Sequence, residues 1–110
     1  MVENKVLEVI NFLQHCLEEK KLDISKIILF GSQTKGNASR QSDMDVVIIS
    51  KDFRKKNIFR RAELTKEAEI MTIKKFLVPL DIITLTPEEL KSKTSLVSEY
   101  ARNGKVVYAT

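Results

Sequence analysis

An α+β fold, a small sheet flanked by helices, is what this sequence predicts, and three observations predict it. Stretches whose apolar residues recur every three or four positions alternate with short runs rich in β-branched residues. Those runs are too short for typical helices. A polar segment holding two glycines separates the first run from the second, as a loop would.

The elements follow in order. From Glu3 to Lys20, Val6, Ile10, Leu13 and Leu17 recur at steps of four, three and four, which places them on one face of a first helix. The segment Lys21 to Ser25 breaks the pattern, and Lys26 to Phe30 reads as a buried strand ending at Gly31. Residues 31–42 hold Gly31, Gly36, Asn37, Ser32, Thr34, Ser39 and Ser42, so they form a loop, or one helical turn plus a loop. Asp45 to Ser50 is a second strand, with the acidic pair Asp43 and Asp45 at its start. Between Asn57 and Lys75 a second amphipathic helix is expected, with Ile58, Leu64, Ala68, Met71 and Phe76 inward and Arg60, Arg61, Lys66 and Glu67 outward. Pro79 interrupts it, Leu80 to Leu85 forms a third strand, and Thr86-Pro87-Glu88-Glu89 has the cap, proline and acids of a helix start. A last helix from about Ser92 to Arg102 is ended by Gly104, before a short strand from Lys105 to Tyr108.

At 110 residues, with 43% hydrophobic and 31% charged, the chain is expected to fold as a single domain over residues 1–110. No apolar run approaches membrane-spanning length, and Met1 to Lys20 carries acids and bases throughout, which points to the cytoplasm. The single cysteine, Cys16, has no internal disulfide partner and falls on the buried face of the first helix as a small core residue. His15 beside it reads as a surface or core-edge residue, and Tyr100 and Tyr108 as core or interface aromatics. The net charge of +4 and the basic run from Lys51 to Arg61 favour an anionic partner, although a solvated helix end explains that run as well. Phe53 and Phe59 are the aromatics interleaved with it.

The chemistry concentrates in one spacing. Gly31 and Ser32 leave a strand, ten residues intervene, and Asp43 and Asp45 open the next strand two positions apart. Side chains two apart in a strand point the same way, so both carboxylates face one point, and their repulsion calls for a cation. Magnesium, which takes oxygen ligands from one or two carboxylates plus substrate phosphates, fits that role. Asp81 lies near the start of an otherwise apolar strand and needs a partner. If the third strand lies beside the second, Asp81 completes a site for two metal ions about 3.5–4 Å apart. Gly31 permits close approach of a phosphate, Ser32 supplies a hydroxyl donor, Lys35 a cation, and Gly36 a turn back toward Asp43.

Phe30-Gly31-Ser32 through Gly36 to Ser42-Asp43-Met44-Asp45 resembles the Gly-Ser, ten residues, Asp-x-Asp signature of the DNA polymerase β-like nucleotidyltransferases, and most resembles their minimal nucleotidyltransferase members. The resemblance covers nearly the whole chain, to the Gly-x-Val-Val-Tyr ending at Gly104 to Tyr108. It implies a mixed sheet flanked by helices, Asp43, Asp45 and Asp81 as metal ligands and catalytic carboxylates, and Gly31, Ser32, Lys35, Gly36 and Ser42 around the nucleotide. The family often has Arg where Lys35 stands, so a cation is kept without the bidentate fork.

The resemblance further implies a Mg2+-dependent transfer of AMP from ATP to a hydroxyl, expected to be a tyrosine, of a partner HEPN toxin, with this chain as antitoxin. Asp81, the carboxylate outside the close pair, is the expected general base. Two other functions compete. One is a nucleotide-binding module that masks a toxin without catalysis; the other is RNA tailing by the same chemistry, which predicts affinity that falls steeply with salt.

Overall fold

The computed structural model describes residues 4–30, 44–92, 99 and 101–109. Helix α1 (Asn4–Glu19) is followed by strands β1 (Ile24–Phe30) and β2 (Met44–Ser50). A single 3-10 turn at Lys51–Phe53 leads to helix α2 (Ile58–Phe76), strand β3 (Leu80–Leu85), the short helix α3 (Pro87–Leu90) and strand β4 (Lys105–Ala109). Of the expected last helix, Glu99, Ala101 and Arg102 are described and helical.

The strands form one mixed sheet, as expected, in the order β3-β2-β1-β4. β1 pairs antiparallel with both β2 and β4, whereas β3 runs parallel to β2. Alternation along each strand divides the sheet into two apolar faces. Ile27, Leu29, Met44, Val46 and Ile48 pack with the α1 residues Val6, Val9, Ile10, Leu13, Cys16 and Leu17. Ile28, Phe30, Val47, Ile49 and Leu85 form the other face with Ala101.

The periodicity of α1 is reproduced: Val6, Ile10, Leu13 and Leu17 are all buried, and Cys16 is a core residue whose burial pushes its thiol pKa up. His15 is exposed. Tyr108 is half-buried, and its hydroxyl donates to Glu18 Oε2 at 3.3 Å.

Helix α2 differs from expectation in which residues face inward. Its buried positions are Arg61, Thr65, Ala68 and Thr72, at steps of four, three and four, while Ile58 is 70% exposed and Met71 is exposed. Leu64 and Phe76 do pack against the core. Two threonines are tolerated inside because their hydroxyls bond back to the helix: Thr72 donates to Ala68 O at 2.7 Å and Thr65 to Ala62 O at 3.3 Å.

Arg61, expected outside, is 8% exposed because its guanidinium closes a polar node. It donates to Glu89 Oε1 at 2.7 Å and Oε2 at 3.2 Å, to Lys56 O at 2.9 Å and to Thr84 O at 3.3 Å. Glu89 also completes a capping box at the start of α3, accepting from Thr86 N at 2.8 Å while its own N–H donates to Thr86 Oγ1 at 3.0 Å. One ion pair therefore joins the start of α2, the end of β3 and α3. The bond from Arg61 holds the Glu89 carboxyl below its ordinary value of 4.5. Because the folded pKa is lowered, this stabilisation is present above that value and is lost as pH falls through the depressed one.

The basic run is largely committed to the fold. Lys51 pairs with Asp23 at 3.1 Å and Arg54 with Glu88 at 2.6 Å, and Lys56 donates to Asp52 O at 2.8 Å. Phe53 is fully buried in the core, so of the two aromatics only Phe59, 74% exposed, is presented to solvent.

Two stability predictions follow from these contacts. Arg61→Leu should cost about 1–3 kcal/mol near neutral pH, with the deficit shrinking below pH 4.5, as measured by urea unfolding across pH. A Cβ on Gly104 would lie 2.6 Å from Ile28 Cγ2 and 2.8 Å from Leu29 O, so Gly104→Ala should lose about 1–3 kcal/mol in the same measurement.

Candidate functional site

The site is built where β2 and β3 begin. Met44 N donates to Pro79 O at 2.9 Å, and from there the parallel register runs Met44 to Leu80, Asp45 to Asp81 and Val46 to Ile82. Asp45 and Asp81 are thus direct neighbours across two strands. Both belong to the alternating set that carries Val47, Ile49, Ile83 and Leu85, so they stand at one end of the sheet face lined by the second apolar cluster. Asp45 is half-buried and Asp81 exposed. Phe30, the last residue of β1, pairs with Asp45. The connection between β1 and β2 therefore leaves and rejoins the sheet beside the carboxylates.

Gly31, Ser32, Lys35, Gly36, Ser42 and Asp43 lie outside the described residues, so the structure brings together two of the expected site residues, Asp45 and Asp81. Among the described residues no group of three or more His, Cys, Asp or Glu side chains is arranged to hold a metal ion. The Asp45–Asp81 pair is nonetheless a donor set of oxygen alone, which is what magnesium takes.

A third acidic side chain was missed by sequence reasoning. Glu69 of α2 faces β3, in a groove shared with Ile82, Ile83 and Thr84. Its signal was present: Ile58, Ala62, Thr65 and Glu69 are spaced by four, three and four and form one stripe of the helix. Burial, and then the charge of Asp81, pushes the Glu69 carboxyl above its ordinary value of 4.5.

Comparison with known proteins agrees with this architecture. Residues 9–106 match the family described as Nucleotidyltransferase domain, and the chain belongs to that family: it is a nucleotidyltransferase. Over 107 residues it is 31% identical to a Methanocaldococcus jannaschii protein named "Putative protein adenylyltransferase MJ1305", covering 96% of this chain and 71% of that one. Among solved structures, a toxin–antitoxin with AMP-PNP is similar with a TM-score of 0.64 at 22% identity, over 91% of this chain and 73% of that one. The toxin–antitoxin MntA–HpeT, in a mutant with two aspartates two positions apart replaced by glutamate, is similar with a TM-score of 0.62 at 20% identity, over 100% of this chain and 75% of that one. Among the described residues no helix is long and apolar enough to cross a membrane.

The electrostatics yield a test. A carboxyl with a raised folded pKa contributes stability below its ordinary value and loses it as pH rises through the raised one. Glu69→Gln should therefore raise Tm near neutrality, by about 0.5–1 kcal/mol of stability. No gain is expected well below pH 4.5. Thermal unfolding at the two pH values reads both.

Proposed function

We propose that this nucleotidyltransferase transfers AMP from ATP to a hydroxyl of a partner protein, and that the partner is a HEPN toxin which the modification silences, through a tyrosine. The observation that carries the reading is the register that sets Asp45 beside Asp81 at the end of the sheet where the Gly31-to-Asp43 connection leaves and returns. The adenylyltransferase name of the 31% identical relative, the ATP analogue in one similar structure and the toxin–antitoxin setting of both support it. The aspartates replaced in the MntA mutant have the spacing of Asp43 and Asp45. We take residues 1–110 as one cytoplasmic domain, in keeping with the single sheet.

In this reading Gly31, Ser32, Lys35, Gly36 and Ser42 hold the triphosphate, and Asp43, Asp45 and Asp81 hold Mg2+, expected as two ions, which when bound neutralises the triphosphate and the departing pyrophosphate. The acceptor hydroxyl oxygen attacks the α-phosphorus in line. The bond from that phosphorus to the oxygen bridging toward the β-phosphate breaks, and pyrophosphate leaves. Asp81, more exposed than Asp45, receives the hydroxyl proton. Such a transfer rests on positioning and charge, so a site without a nucleophilic Cys or His suffices.

Masking of a toxin without catalysis is the second reading, favoured by the exposed apolar residues Ile58, Phe59, Ile70, Met71 and Leu77 on and after α2. RNA tailing has less support, because Lys51, Arg54 and Arg61 are held in ion pairs and Phe53 is buried.

The deciding experiment incubates the purified protein with ATP and Mg2+, with and without the product of the neighbouring gene, and records intact masses. One or more AMP units should appear on the partner. Asp43→Ala combined with Asp45→Ala should reduce the rate at least about a hundredfold while the fold survives. Chelation of the metal should stop transfer, and added Mg2+ should restore it. A tight complex without transfer from any of the four nucleotides would favour masking.

A further inference from the structure

The outer edge of β3 has a definite hydrogen-bonding polarity. In a strand the N–H and C=O of one residue point to the same side, and consecutive residues alternate. Pro79 O accepts from Met44 N, so Pro79, Asp81 and Ile83 turn their backbone polar groups toward β2. Thr84 O instead accepts from Arg61 Nη1 at 3.3 Å, on the other side, as alternation requires. The N–H and C=O of Ile82 and the N–H of Thr84 therefore line the outer edge. Among the described residues β3 is an edge strand, with β2 as its one neighbour. Beside that edge runs a groove of about 270 Å³, in which Ile58, Ala62 and Glu69 of α2 face Ile82 and Thr84.

We propose that this groove is the acceptor-binding site: an extended polypeptide segment adds to β3 as a further strand, bonding to Ile82 and Thr84, and so delivers its hydroxyl side chain to Asp81. The inference rests on the transfer reading above. Three features select a peptide. Among the described residues no strand lies beyond these outward groups, which are backbone donors and acceptors in strand order that another strand satisfies. The lining from Ile58 and Ala62 to Ile82 is apolar and suits alternate side chains of such a segment. Among the described residues the one charged lining residue is Glu69, close to Asp81, which repels a phosphate backbone and favours a cationic side chain near the accepting hydroxyl. Asp81 and Thr84 are three residues apart, about 10 Å along the strand, so three or four acceptor residues span the distance.

The probe is an acetylated, amidated hexapeptide, Lys-Val-Tyr-Val-Thr-Val, with a form N-methylated on alternate residues as its control. In the wild-type protein the peptide should shift the amide resonances of Ile82 and Thr84 and gain AMP in the presence of ATP and Mg2+; the N-methylated form should do neither. Thr84→Pro removes an outward N–H and no bond to β2, and Ala62→Trp fills the groove from an exposed position on α2. Each should raise KM for the peptide about tenfold or more and leave KM for ATP unchanged. Transfer to the peptide at wild-type KM in both variants, or resonance shifts that avoid β3, would overturn the groove and leave the transferase reading standing. Shifts at Ile82 and Thr84 that both variants abolish would support the groove even without AMP transfer, a result that counts against the transferase reading alone. A wild-type dimer that Thr84→Pro dissociates, with no peptide-induced shift, would assign the edge to a second copy of the chain and overturn the proposal.

Discussion

The parallel pairing of β2 with β3 is the constraint on which the rest of the structure depends. Two carboxylates meet only because Asp45 and Asp81 each stand second in strands that start at the same end of the sheet. A parallel pair cannot be closed by a tight turn, so the chain must travel back along the full strand before β3 begins. Helix α2 does this: 19 residues reach about 28 Å, enough to return along a seven-residue strand of about 23 Å. A hairpin would have set β3 antiparallel and carried Asp81 to the far end, away from Asp45.

A crossover of that length needs fixing at both ends, and each end has its own device. At the start, Asn57 caps α2 by accepting from Arg60 N, and Arg61 ties the first turn to Thr84 and Glu89. At the other end, Leu77 takes the left-handed conformation at φ 57° and donates to Ile73 O, which stops the helix and turns the chain toward Pro79. The Met44-to-Pro79 bond then sets the register. A slip of one residue would turn Asp81 to the helix-covered face and Ile82 toward Asp45, so register and site are one requirement.

The sheet and α1 were legible in the sequence because each is specified by a repeated local pattern. The β-branched runs bounded the strands to within two residues, and the threonine, proline and acid run after β3 announced α3. The inward face of α2 was not legible, since its buried positions are Arg61, Thr65, Ala68 and Thr72. Their spacing is that of an amphipathic helix, but three of the four are polar and one is charged. An arginine is buried only when partners satisfy it, and Glu89 and Thr84 lie 28 and 23 positions along the chain. The site was half legible in the structural sense. Spacing fixed which acids to watch, and the register placed Asp45 beside Asp81. Glu69 escaped notice because its relevance depends on α2 lying along β3, a tertiary fact.

Acidic residues stand at one end of the sheet, and the apolar core lies behind them. Asp45 and Asp81 are cross-strand neighbours and Glu69 feels the charge of Asp81, and like charges on adjacent strands weaken a pairing. Their repulsion is borne by the strand interiors behind them: Val46, Val47 and Ile48 are completely buried, and Ile49 nearly so. The polar node at Arg61 lies at the opposite end of β3, around Thr84, where cation and carboxylate cancel. Charge is thus neutralised inside the protein at one end of the strand, while carboxylates of two strands meet at the other. Adjacent carboxylates at a sheet end repel each other, and a ligand that brought positive charge there would relieve that repulsion and stabilise the fold through its binding.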